Sequence, residues 1–137
     1  MGGCRPRSLF ATTCPNTVEP VILLSAQSAA SLPGDQSPVT LATIPIPAGA
    51  RKLIRVSTFG NSVTAGRLAN IYASWFCGGV FVNGGIDTWY ESDPTQSGKS
   101  VMSYRPDPGT DFIITAASGE IDAAPVDVQY ALAVEQL

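Results

Sequence analysis

Along residues 126–135, Val126, Val128, Tyr130, Leu132 and Val134 alternate with Asp127, Gln129, Ala131, Ala133 and Glu135. A period of two puts each set on its own face of an extended chain, so this segment reads as a strand with one face buried. Similar but less regular runs fill most of the chain. Strands are expected over Val18–Ser25, Val39–Ile46, Lys52–Phe59, Ala69–Val82, Ile86–Glu91, Lys99–Arg105 and Thr110–Ala116. Turn chemistry separates nearly all of them: Pro33-Gly34-Asp35, Gly60-Asn61, Asp93-Pro94 and Asp107-Pro108-Gly109. Asn83-Gly84-Gly85 is the clearest hairpin signal, while Gly78-Gly79 inside Ala69–Val82 suggests a bulge or a bend. Pro45 and Pro47 assign the second run to a sheet edge or a strand end. The small-residue stretch Ala26–Ser31 closes the first run and has room for one helical turn at most.

No segment carries a capped apolar period of 3.6 residues. The fold class is therefore all-β: a two-sheet sandwich of about eight strands, with jelly-roll topology favoured. An immunoglobulin-like sandwich is the alternative, although its Cys…Trp…Cys arrangement is missing. Residues 1–17 differ from the body, residues 18–137. They hold Arg5-Pro6-Arg7 and Cys14-Pro15-Asn16 without periodicity, which reads as an extended N-terminal arm. Leu9 and Phe10 give the arm something apolar to bury on a partner, beside the charges of Arg5 and Arg7.

Composition restricts the chemistry. The chain has no histidine, and 14% of its residues are charged, against roughly a quarter in an ordinary soluble domain. Ser–His–Asp and Cys–His catalysis are excluded, and there is no GxSxG, P-loop or GxGxxG motif. A Ser–Lys pair would need Lys52 or Lys99, and nothing marks either. Asp87, Glu91 and Asp93 near the expected hairpin, and Asp107 and Asp111 at another turn, are the carboxylates available for two-acid catalysis. Aspartate also favours turns by bonding nearby backbone, and that is the reading adopted. No D-x-D-x-[DN]-G loop marks calcium, and Cys4, Cys14 and Cys77 fall one ligand short of a structural zinc site. The expectation is a chain that is not an enzyme and takes no cofactor or metal. Cys77 is expected as a buried free thiol, and a Cys4–Cys14 pairing is conceivable.

A net charge of −3 with sparse Lys and Arg argues against nucleic acid; Arg51, Lys52 and Arg55 read as solvated bases at a strand edge. The apolar stretch Val21–Leu24 is far too short for a membrane span, and no apolar segment follows Met1–Arg7 as in a signal peptide. Neutral and apolar surfaces are cheaper to bury than charged ones, so this composition suits an assembly subunit. Trp75, Phe76 and Phe81 are expected in the core. Trp89, Tyr90 and Tyr104, near polar loop ends, are candidate glycan or interface contacts. A carbohydrate-binding sandwich is accordingly the alternative to assembly.

Residues 28–59 add a resemblance. The run Ser-Leu-Pro-Gly-Asp-Gln-Ser-Pro-Val-Thr-Leu-Ala-Thr-Ile-Pro-Ile-Pro-Ala-Gly-Ala from Ser31, then Lys52-Leu53-Ile54-Arg55-Val56-Ser57, is similar to the opening of small jelly-roll accessory proteins of tailed-phage virions. The closing strand at Val126–Glu135 is similarly placed. The resemblance implies a capsid decoration, tail or fibre subunit made in the host cytoplasm and carried on the virion. It also implies an oligomer, with a trimer favoured, anchored by its arm to a major capsid or tail protein.

Overall fold

The computed structural model describes residues 20–91, 98–121 and 124–137. Eight strands make up the described body: β1 (Val21–Leu32), β2 (Val39–Pro45), β3 (Ile54–Ser62), β4 (Ala69–Cys77), β5 (Val80–Trp89), β6 (Gly98–Tyr104), β7 (Asp111–Ser118) and β8 (Val126–Gln136). They form two four-stranded sheets, ordered β1-β8-β3-β6 and β2-β7-β4-β5.

The order follows from one long antiparallel ribbon folded at its middle. β4 pairs with β5, β3 with β6, β2 with β7 and β1 with β8. Wrapping that ribbon brings β3 beside β8 and β4 beside β7, which completes each sheet. This is the jelly roll, and it replaces the immunoglobulin-like alternative. β2, with its prolines, is an edge strand, where a missing N–H costs no ladder bond.

Two local expectations change. Ala26–Ser31 does not end β1; each residue there pairs with β8, from Ala26 opposite Leu132 to Ser31 opposite Asp127. A full-length partner strand outweighs the weak β-propensity of alanine and serine. The hairpin turn lies at Gly78-Gly79, with φ of 61° and 77°, and Asn83-Gly84-Gly85 runs inside β5. Two consecutive positive φ values make the twisted two-residue turn that suits a hairpin, and glycine adopts them without strain. The bulge sits instead in β5: Ile71 faces Asp87 while Tyr72 faces Gly85, so Ile86 is the extra residue.

The core lies between the sheets. Val56, Val126, Val128, Leu132 and Val134 from one meet Ile44, Ile71, Trp89, Phe112 and Ile114 from the other, all buried. Trp89 stacks on Tyr130 at 5.3 Å between ring centroids. It also covers Gly60 so closely that a Cβ there would lie 2.5 Å from its ring. Trp75 packs against Tyr104 and Phe112, with centroids 4.6 and 5.6 Å away. Among the described residues no helix is long and apolar enough to cross a membrane.

Candidate functional site

The register gathers the starts of β1, β3, β5 and β7 and the ends of β2, β4, β6 and β8 at one end of the sandwich. Val21 lies opposite Gln136, Gln136 opposite Ile54, and Ile54 opposite Tyr104. In the other sheet Pro45 lies opposite Asp111, and Cys77 opposite Val80. The described chain therefore enters the sandwich at this end.

This end is apolar and open. Ile22, Val80 and Phe81 are 67%, 63% and 56% exposed, and Val21, Phe76 and Leu137 are exposed as well. Phe76 and Phe81, a facing pair on the hairpin, meet edge to face at 5.4 Å. Both were expected in the core; their positions past the last covered pair of the hairpin put them outside it. Clusters of exposed large apolar side chains on a folded domain mark interaction sites.

The hairpin tip is held from the β6–β7 loop. Asp107 accepts hydrogen bonds from the Gly78 and Gly79 N–H groups at 2.8 and 2.7 Å, and its own N–H donates to the Phe76 carbonyl at 2.7 Å. Arg51 pairs with the same carboxylate. The Gly79 and Gly78 N–H groups, with Arg51 behind them, hold the Asp107 carboxyl below the usual carboxylate range. Arg55 is also engaged, reaching Glu135 of β8 at 2.8 Å. The apolar tip is thus a fixed feature rather than a loose loop.

A second surface continues the charge-poor character. The outer face of β1-β8-β3-β6 carries Ser25, Ala133, Ser57 and Val101 in one row and Gln27, Ala131, Phe59 and Lys99 in the next. Phe59 and Val101 are exposed on it. They flank a trough of about 220 Å³ floored by the small side chains.

The residues singled out in the sequence are scattered. Trp89 is fully buried, its indole N–H donating to Asp87 at 3.0 Å, so it offers no ring face to a ligand. Tyr104 is half-buried against Trp75 and Phe112, and burial pushes its hydroxyl pKa up. Tyr90 is exposed, but at the opposite end from the apolar tip. Arg5, Arg7, Leu9 and Phe10 of the arm, with Cys4 and Cys14, lie outside the described residues. Cys77 was expected buried and is exposed beside the hairpin turn.

Two of the carboxylates considered for two-acid catalysis, Asp87 and Asp107, are engaged by the fold itself. Asp87 points between the sheets, where it accepts bonds from Thr58 of the facing sheet at 2.8 Å and from Trp89. Asp107 grips the hairpin, and Asp93 lies outside the described residues. No group of three acidic or cysteine side chains that could hold a metal occurs among the described residues.

Sequence reasoning missed Tyr72. It sits in the longest apolar run, yet projects from the outer face of β4 between Gly85 and Thr115 on the neighbouring strands. The available signal was its alternation with the buried Ile71 and Ala73.

No family model matches this sequence, and no curated protein does. Solved structures share the fold. The chain of an infectious bursal disease virus, Gt strain, superposes with a TM-score of 0.53 at 10% identity, over 85% of this chain and 32% of that one. The D431N mutant VP2 protein of the same virus, in derived T=1 particles, gives 0.52 at 13% identity, over 98% and 37%. A Clostridium thermocellum endo-1,4-β-D-xylanase 10B chain of CBM22-1 and GH10 modules, complexed with xylohexaose, gives 0.50 at 8% identity, over 85% and 28%. This chain spans about a third of the length of each. The likeness is one of fold.

Proposed function

We propose that this chain is a non-enzymatic structural protein of a virus particle, a capsid-decoration or tail-associated subunit that docks on neighbouring protein subunits. The observation that carries the proposal is the set of exposed apolar side chains at this end of the sandwich, Val21 and Ile22 on β1 and Phe76, Val80 and Phe81 on the β4–β5 hairpin. The core is filled without these side chains, so their exposure serves no folding purpose within the monomer. Of the charged residues at this end, Arg51 is paired with Asp107 and Arg55 with Glu135, which lowers the cost of covering them with a partner. The use of this fold by the bursal disease virus chains supports the reading, as does the similarity of residues 28–59 to phage accessory proteins.

In this account the arm, through Arg5, Arg7, Leu9 and Phe10, docks both on a major capsid or tail protein and, together with the apolar end, on the other copies of a homo-oligomer, a trimer. The mechanism is burial of extended backbone and apolar side chains across subunits. Sedimentation velocity on the full chain and on a chain lacking residues 1–17 tests it. The full chain is expected to sediment as an oligomer and the truncated chain to shift toward monomer. A full chain that stays monomeric, unchanged by the truncation, contradicts the proposal.

A further inference from the structure

We propose that the outer face of the β2-β7-β4-β5 sheet binds a neutral oligosaccharide, with Tyr72 as its stacking platform. This goes beyond assembly and uses a different surface. Two depressions, of about 720 and 420 Å³, both reach Tyr72. Asn70, Thr88 and Tyr90 line the first, which reaches round the β5 edge to Lys99 on β6 of the facing sheet; Gln36, Ser74, Asn83 and Thr115 line the second. Small-ligand sites commonly fall in this range of about 300–1,000 Å³.

Tyr72 is half-buried, and its cross-strand partner leaves the space beside its ring open. Gly85 is exposed, and a Cβ added there would find Tyr72 as its nearest neighbour, at 4.0 Å. An aromatic ring with open space beside it, flanked by amides and hydroxyls, is what a pyranose needs, since its C–H faces are apolar and its hydroxyls both donate and accept. The amides are held in place. Asn83 donates one N–H to Ser74 Oγ at 2.6 Å, and Asn70 accepts from Thr88 Oγ1 at 3.2 Å, which leaves further amide donors for a ligand. Tyr90 supplies a second exposed ring along the first depression.

The charges select among ligands. Lys99 and Asp87 are the charged residues of the lining, and the Asp87 carboxylate is already bonded to Thr58, Trp89 and its neighbour's N–H. One lysine and one carboxylate leave the lining without net charge, so the ligand class is neutral. A protein partner fits this groove less well than the opposite sheet: its lining includes none of the exposed large aliphatic side chains.

Saturation-transfer NMR on the full chain, with neutral hexaoses of glucose, xylose, mannose and galactose and a sialylated and a sulfated oligosaccharide beside them, tests this. At least one neutral hexaose is expected to bind, about tenfold or more weakly with Tyr72→Ala. Gly85→Val, which a strand accepts and which fills the space beside the ring, is expected to weaken it similarly. Val80→Ser at the apolar end is expected to leave binding unchanged. Binding to none of the neutral sugars, binding only to the charged ones, or binding that survives both Tyr72→Ala and Gly85→Val overturns the proposal. So does a Tyr72→Ala chain that binds as before but changes its sedimentation, which makes the tyrosine a protein contact.

Discussion

At the scale of single residues, the sandwich depends on a few contacts that composition does not announce. Gly60 is one, because the β3 backbone must pass directly under the Trp89 ring. Gly60→Ala forces the indole off Tyr130 and is expected to destabilise the fold by about 1–3 kcal/mol, read as a lowered urea midpoint. A midpoint equal to that of the parent chain contradicts the packing described. Arg67 is another. It is buried, and its guanidinium donates to the Ala124 carbonyl at 3.2 Å and to Ser118 Oγ at 2.9 Å, tying the β3–β4 loop to the segment before β8. Arg67→Met strips these acceptors of their donor, with an expected loss of about 1–3 kcal/mol in the same measurement. Trp89 shows why the site was hard to read at this scale. Its neighbours Asp87 and Tyr90 suggested a polar rim, whereas the Ile86 bulge and the glycine opposite turn the ring inward.

At the scale of elements, the β4–β5 hairpin is where local chemistry and tertiary contact part. Alternation and turn residues located eight strands, and the closing strand was legible almost to the residue. The hairpin was misplaced because Asn-Gly is a strong local turn signal, while the contact that stabilises Gly78-Gly79 comes from Asp107, far along the chain. The same distance hid Tyr72, whose exposure depends on Gly85 across the strand pair. The Asp107 clamp makes a pH prediction. Its carboxyl is lowered in the folded chain, so its contribution is present above the unfolded value, about 3.9, and is lost as pH falls through the lower folded value. The Gly78 and Gly79 amide proton signals are therefore expected to titrate with a midpoint below that of an ordinary aspartate. A midpoint at or above the ordinary value contradicts the clamp. Asp107→Ala is expected to abolish the titration and to raise amide exchange at the tip, with the rest of β4 and β5 unaffected.

At the scale of the whole molecule, the jelly-roll ribbon sorts its surfaces. Chain entry, hairpin tip and C-terminus share one end, where the exposed apolar side chains collect. The polar groove with Tyr72 and Tyr90 lies on the far sheet and toward the other end. A subunit held by one end can thus leave its outer sheet facing solvent, which makes attachment and glycan recognition compatible in one small body. The ion pairs Arg51–Asp107 and Arg55–Glu135 lower the cost of covering the charges at the docking end. The central claim is that this end holds subunits together, and native mass spectrometry of the full chain beside its Val80→Ser/Phe81→Ser variant tests it most directly. The account predicts an oligomer, a trimer, for the parent chain and a folded monomer for the variant; a parent chain found only as monomer, or an oligomer that the two substitutions leave intact, would contradict it.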